Sequence, residues 1–373
     1  MDGSPPPSRT WAEVDLDAVR HNVRALGRRA AVPLMAVVKA DAYGHGQVAC
    51  AQAALDGGAT TLAVATAAEA AALREAGIES RLLVMGALTR ESLEEALAAG
   101  AEVLAWNEPF VRAVAEHATG APARVHVKLD TGMGRLGTTD PEQARTVAAA
   151  VNADDRLELA GLMTHFATAD ERGDDYFPRQ LAAFNEFIGP LRAEYPQATV
   201  HAANSAATLR DPASHFDMVR CGIAVYGLDP FLTDARAQGL EPALSLQSYV
   251  AEVKRIGAGE SVGYGRSWRA ERDAWIGVLP IGYADGVRRG LSNGGEVLVA
   301  GRRFPLVATI SMDNVTIDLG PETDVRPGAE ATLIGIQGEH EITCEQVADA
   351  LGTINYEVTC GIGPRVPRVH AGR

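Results

Sequence analysis

The chain has 373 residues, room for one large barrel plus a smaller domain. Its composition, 47% hydrophobic and 22% charged, is that of a globular protein with ample material for a core. A net charge of −14 argues against nucleic acid or an anionic membrane surface as partners.

Residues 1–10, M-D-G-S-P-P-P-S-R-T, are polar and Pro-rich. They carry no apolar h-region and predict a short disordered lead-in, not a signal peptide. No apolar stretch approaches the roughly 20 residues that span a bilayer. Cys50, Cys221, Cys344 and Cys360 are widely spaced, with no C-x-x-C pair and no Cys/His cluster. Neither a metal site nor a disulfide framework is expected, and reduced thiols in a cytoplasmic protein are the default.

From residue 11 to 240, short apolar runs alternate with Ala/Glu/Arg-rich helical stretches. Strands are predicted at 34–39, 62–65, 81–85, 102–105, 124–129, 159–165, 199–203 and 217–220. Helical patterns lie between them, at 67–76, 91–99, 109–118 and 141–151 among others. Asp140-Pro141 reads as an N-cap followed by a proline at the first helical position. Roughly eight βα cycles favour an α/β fold of the TIM (β/α)8 type over an open sheet. After residue 240 the helical stretches largely vanish. Runs at 248–256, 275–281, 296–299, 306–319 and 331–336, separated by glycines and polar turns, predict a mainly β C-terminal domain over 241–373. One helix, at 344–351, interrupts it.

Residues 36–46, A-V-V-K-A-D-A-Y-G-H-G, are the most informative stretch. An apolar strand delivers Lys39 at its end, and a small Gly-rich turn with Tyr43 and His45 follows. An amine there, beside exposed backbone N–H groups, suits a Schiff-base lysine next to a bound phosphate. That pairing points to pyridoxal 5′-phosphate (PLP). The other strand ends fit the same picture, because a barrel gathers its active site there. They carry Lys128, Asp130 and Arg135, then His165, then Asn204 and Ser205, then Arg220, Gly222 and Ile223. Gly132 to Gly137 also matches G-x-G-x-x-G. Its helix is predicted to start later, at Asp140-Pro141, so a dinucleotide site is not expected.

The pattern V-x-K-A-D-A-Y-G-H-G resembles the PLP-attachment signature of the alanine racemases. E-S-V-G-Y-G-R (Glu260 to Arg266), P-I-G-Y-A-D-G (Pro280 to Gly286) and S-M-D (Ser311 to Asp313) extend the resemblance over nearly the whole chain from Trp11. The resemblance implies that Lys39 binds PLP and that Tyr43, Ser205, Gly222, Ile223 and Tyr356 hold its phosphate. It sets Arg220 against the pyridine nitrogen, and Arg135 near the substrate carboxylate with Tyr283 and Met312. Lys128 matches a lysine often carbamylated in the family. The implied activity is interconversion of L- and D-alanine, supplying D-alanine for peptidoglycan. Lys39 and Tyr264 would be the two bases, with His165 and Arg220 as a relay to the phenol. The family places the C-terminal residues in a partner subunit's site, which implies a homodimer with shared active sites. Ser311 departs from a frequent cysteine and should alter only packing.

Three rival readings have distinct marks. A barrel-type PLP decarboxylase would set an acidic residue, not Arg220, at the pyridine nitrogen. A PLP carrier would lack residues 241–373. A class I aldolase barrel would need no phosphate turn beside Lys39. A racemase of broader specificity is a further alternative, since extra methylenes discriminate only modestly in apolar pockets.

Overall fold

Short apolar runs become strands buried on both faces, as a parallel sheet under helices requires. The structure, a computed structural model, describes residues 8–372. They divide into two compact units. One is Ala18–Glu241; the other combines the stretch up to Asp17 with the chain from Pro242 onward.

The first strand, β1 (Trp11–Asp15), belongs to the second unit. The first unit holds β2 (Leu34–Val37), β3 (Thr61–Val64), β4 (Arg81–Val84), β5 (Glu102–Ala105), β6 (Ala123–Lys128), β7 (Leu157–Met163), β8 (Thr199–His201) and β9 (Val219–Cys221). All pair in parallel, in the order β8-β7-β6-β5-β4-β3-β2-β9. A bridge between His201 and Met218 brings the two ends together, so the eight strands form a nearly closed barrel. The expected (β/α)8 fold is therefore present, with helices between the strands. Local chemistry sets several helix starts. Thr66 and Thr89 form capping boxes with Glu69 and Ser92. Asp140 accepts the N–H of Glu142 at 2.9 Å and Pro141 opens its helix. Residues 132–137 thus form a loop ahead of that helix, and its glycines do not open the helix as a dinucleotide fingerprint requires.

The second unit is mainly β, as expected. Its largest sheet runs from Glu252–Ile256 through Ala274–Leu279, Val315–Gly320, Arg302–Val307, Glu296–Val299, Glu330–Gln337 and Leu244–Tyr249 to β1 and Arg368–Ala371. Three sequence expectations change here. Residues 11–15 do not open the barrel. Ala12 and Val14 are fully buried, and β1 pairs antiparallel with Leu244–Tyr249 and parallel with Arg368–Ala371. Of the predicted disordered lead-in, residues 1–7 lie outside the described residues, but Arg9 and Thr10 are fixed. Arg9 pairs with the buried Asp285 at 2.8 Å, and the buried Thr10 hydroxyl donates to the Gln247 carbonyl at 3.0 Å. The run at 306–319 splits into two strands. Ala308 takes φ 64°, and Ser311 Oγ accepts the Asn314 N–H at 3.0 Å, closing a turn between them. A second helix, Asn355–Cys360, follows the predicted one. Among the described residues no helix is long and apolar enough to cross a membrane.

Candidate active site

The segment after β2 turns the wrong way for L-residues. Ala40, Asp41, Ala42 and Tyr43 have φ between 52° and 55° and ψ between 36° and 52°. Each such residue costs roughly 1–2 kcal/mol outside glycine. The surroundings hold the turn. The Ala40 N–H donates to Glu69 Oε1 at 2.7 Å. Asp41 accepts the N–H of Gln47 on its side chain at 2.8 Å and that of Gly46 on its carbonyl at 2.9 Å. His45 Nδ1 faces the carbonyls of Ala42 and Tyr43 at 3.0 Å. The His45 ring stacks on Tyr226 at 4.5 Å, and the Tyr226 hydroxyl donates to the Val37 carbonyl at 2.8 Å. The strand end that precedes Lys39 is thus tied back through Tyr226 to the turn that follows it.

Beyond the end of β8, Ser205 opens a short helix capped by Asn204. Ser205 Oγ accepts the N–H groups of Gly222 at 3.0 Å and Ala224 at 3.3 Å, and among the described residues the Ile223 N–H between them has no acceptor. A Cβ on Gly222 would stand 2.3 Å from Tyr43 Oη. Tyr43, Ser205, Gly222 and Ile223 therefore meet in one place. Two hydroxyls and a backbone N–H, with no carboxylate among them, are a donor set suited to a phosphate.

Arg220 lies in β9 and is buried. Its Nη2 donates to the carbonyls of Thr164 and Ala202, both at 3.0 Å, and meets His165 Nδ1 at 3.2 Å. Its Nη1 meets His201 Nδ1 at 3.1 Å. Among the described residues Nε has no hydrogen-bond partner and Nη1 has only His201, so donors of this buried cation are left for an acceptor. Burial lowers the guanidinium to about 10, so it stays charged at neutral pH. His165, directly after β7, is held neutral. Burial of its ring pushes its pKa well down, and Arg220, Arg135, Lys128 and Lys39 add to the effect. Because Nδ1 accepts from Arg220, the proton of a neutral His165 sits on Nε2. Lys128 is buried at the end of β6, and burial, Arg135 and Arg220 lower it to about 8. Asp130 accepts the N–H groups of Gly132, Met133 and Arg135 and so shapes the glycine loop that presents the exposed Arg135.

The remaining expected residues belong to the β unit. Tyr264, Tyr283 and Met312 are all exposed, Tyr264 at 73%. The Thr309 hydroxyl donates to the Tyr264 carbonyl, Tyr283 N–H to the Ser311 carbonyl and Ala284 N–H to the Met312 carbonyl, at 3.0–3.1 Å. These three segments are therefore neighbours. Tyr356 is half-buried on the helix Asn355–Cys360. The sequence reading did not single out Glu69, Asp41, His45 or Tyr226 as supports. The Thr66-x-x-Glu69 capping signature was readable, but its second role at Ala40 was not.

The N-terminal domain model of alanine racemases matches residues 14–230, and the C-terminal domain model matches residues 243–370. The chain belongs to the alanine racemase family. It is 43% identical over 364 residues to alanine racemase 1 of Bacillus subtilis, covering 96% of this chain and 92% of that one. It is 45% identical over 370 residues to the alanine racemase of Geobacillus stearothermophilus, covering 96% and 93%. Among solved structures, the alanine racemase of D-cycloserine-producing Streptomyces lavendulae superposes with a TM-score of 0.93 at 41% identity, covering 99% of this chain and 98% of that one.

Proposed function

We infer that this chain interconverts L- and D-alanine with PLP as cofactor. The observation that carries the reading is the pinned turn after Lys39, whose Tyr43 hydroxyl lies against Gly222 beside Ser205. Tyr43, Ser205, Gly222 and Ile223, with Tyr356, would hold the phosphate. Lys39 would hold the aldehyde carbon through its amine, and Arg220 Nε would face the pyridine nitrogen. When bound, PLP delocalises the electron pair left as the Cα–H bond of the amino acid breaks.

Racemisation then needs a proton removed from one face and returned to the other. Lys39 Nζ serves one face and Tyr264 Oη the other. A phenol is a weak base at neutral pH, so donors must stabilise its phenolate. His165 supports this role: its Nε2–H is available while Arg220 holds Nδ1. Arg220 stays protonated, so it would donate a hydrogen bond to the pyridine nitrogen and give it no proton. With a cation that keeps its own proton at that position, the cofactor would be a weaker electron sink than with an acid there, which would favour racemisation over side reactions. Arg135 would bind the substrate carboxylate, with Tyr283 and Met312 limiting side-chain size. The depressed Lys128 amine is the form that adds carbon dioxide, and a carbamate there would orient Arg135.

We further propose a homodimer in which Tyr264, Tyr283 and Met312 complete the partner's site. Their exposure as large apolar side chains in one neighbourhood supports a covered face. Cytoplasmic supply of D-alanine for peptidoglycan is the proposed role. Borohydride reduction of PLP-loaded protein should attach the cofactor covalently at Lys39, located by peptide mass. L- or D-alanine in D2O should exchange its Cα proton and lose optical rotation. Colourless protein with no reducible adduct, or exchange without racemisation, would refute the assignment.

A further inference from the structure

The barrel interior carries a buried polar chain that ends on Arg220. Glu102 opens β5, His126 lies in β6, His201 ends β8 and Arg220 lies in β9. All four are at most 3% exposed. Arg220 Nη1 meets His201 Nδ1 at 3.1 Å, His201 Nε2 meets His126 Nδ1 at 2.8 Å, and His126 Nε2 meets Glu102 Oε2 at 2.6 Å. Arg81 Nε and Arg124 Nε donate to Glu102 Oε1 at 2.7 and 3.0 Å, and Arg81 Nη2 donates to Oε2, beside His126, at 3.0 Å.

The chemistry permits only one direction of donation when both rings are neutral. A guanidinium can only donate, so His201 Nδ1 must accept. His201 then carries its proton on Nε2 and donates to His126 Nδ1. His126 in turn carries its proton on Nε2 and donates to Glu102. The far end must therefore be an acceptor, which Glu102 Oε2 supplies. Burial alone would raise the Glu102 carboxyl, but His126 and Arg81 hold it well below the usual carboxylate range. Burial, with Arg220 next, keeps His201 from gaining a second proton.

The two histidines reach each other over the intervening strand β7. Gly161 on β7 makes this possible, because a Cβ there would stand 2.2 Å from His126 Nδ1. Apolar layers are the usual filling of such a barrel, so the chain of polar groups is a departure that needs a purpose.

We propose that Glu102, His126 and His201 are positioning residues, a one-way hydrogen-bond chain that fixes the orientation of Arg220 and decides which of its N–H groups is left for a ligand. The catalytic consequence rests on the proposed function; the tautomers do not. The experiment is ¹⁵N NMR of histidine-labelled, PLP-loaded protein, with Glu102→Gln beside the wild type. In the wild type, both His126 and His201 should be protonated on Nε2 alone. In Glu102→Gln, the amide oxygen keeps Arg81 Nε and Arg124 Nε, and the amide nitrogen, in the place of Oε2, gives up the Arg81 Nη2 contact and donates to His126. Both rings should then switch to Nδ1–H, placing a proton against Arg220. Turnover of alanine should fall about tenfold, the lower end of what orienting partners typically contribute. That loss should vanish in an Arg220→Lys background, since the effect is routed through Arg220. Nδ1–H or a doubly protonated ring on either histidine of the wild type would overturn the proposal. So would a folded Glu102→Gln protein with unchanged tautomers, or a loss of turnover that persists in full without Arg220. If Glu102→Gln fails to fold, the wild-type tautomers alone decide. A failed racemase assay with the predicted tautomers present would refute the function and leave the chain standing.

Discussion

Glu69 Oε1 accepts the backbone N–H of Ala40 at 2.7 Å, while Oε2 of the same carboxylate accepts those of Ala65 at 2.7 Å and Thr66 at 3.1 Å. One side chain thus caps the helix Ala67–Glu75 and steadies the first left-handed residue after Lys39. Glu69→Ala removes the acceptor of three N–H groups. It should lower stability by about 2 kcal/mol, read from urea unfolding, and weaken PLP affinity as well. Glu69→Gln keeps one oxygen and should cost about half as much.

The left-handed turn itself makes an unusual prediction for an exposed alanine. Ala40 carries φ 52° and ψ 52°. Glycine adopts that geometry freely, although it loses more entropy on folding. Ala40→Gly should therefore leave stability unchanged or raise it by up to about 1 kcal/mol. Ala40→Val should lower it by more than about 1 kcal/mol, because a β-branched residue is strained there. A calorimetric comparison of the two variants checks the sign.

Gly222→Ala should strike the proposed phosphate-binding cluster directly. Its Cβ would stand 2.3 Å from Tyr43 Oη and 2.8 Å from Tyr43 Cζ, so the ring must move. Overpacking of this kind costs about 1–3 kcal/mol. The displaced hydroxyl should weaken PLP binding about tenfold or more, measured by titration of the apo protein.

Lys128 gives a pH dependence with a definite sign. Its folded value is lowered from 10.5 to about 8. Below pH 8 both folded and unfolded chains carry the proton, and the fold bears the full cost of a buried charge. Between about pH 8 and 10.5 the unfolded chain holds more protons, so stability rises with pH. Lys128→Met should be more stable than wild type at pH 7, by up to about 3 kcal/mol. That advantage should shrink as pH rises through 8 towards 10.5. Denaturant titrations in bicarbonate-free buffer test this; added bicarbonate should stabilise the wild type and leave Lys128→Met unchanged.

The barrel was legible because its strands are buried on both faces and read as uninterrupted apolar runs. All eight lie within a few residues of their predicted places. The β unit was less legible, since its strands depend on partners far away in sequence. Nothing local in W-A-E-V-D says that it pairs with residues near 245 and 369. The place of Lys39 at the end of β2 was legible from its flanks, and the gathering of Ser205, Arg220 and Gly222 from their place at strand ends. The four left-handed residues were not, because A-D-A-Y has no glycine to announce a positive φ. The polar chain to Glu102 was hidden for another reason. His126 and His201 look like ordinary strand residues until the sheet curls and Gly161 clears the gap between them.

The position of β1 bears on how the protein is made. Its residues leave the ribosome long before either neighbour, Leu244–Tyr249 or Arg368–Ala371. The barrel is, in effect, an insertion within a loop of the β unit. At ordinary translation speeds β1 waits on the order of ten to fifty seconds for Leu244–Tyr249, and longer for Arg368–Ala371. The barrel can assemble during that interval, whereas the β unit can close only near termination. A nascent chain arrested shortly after residue 241 should therefore display a finished barrel with an unpaired strand at its head, a ready target for chaperones.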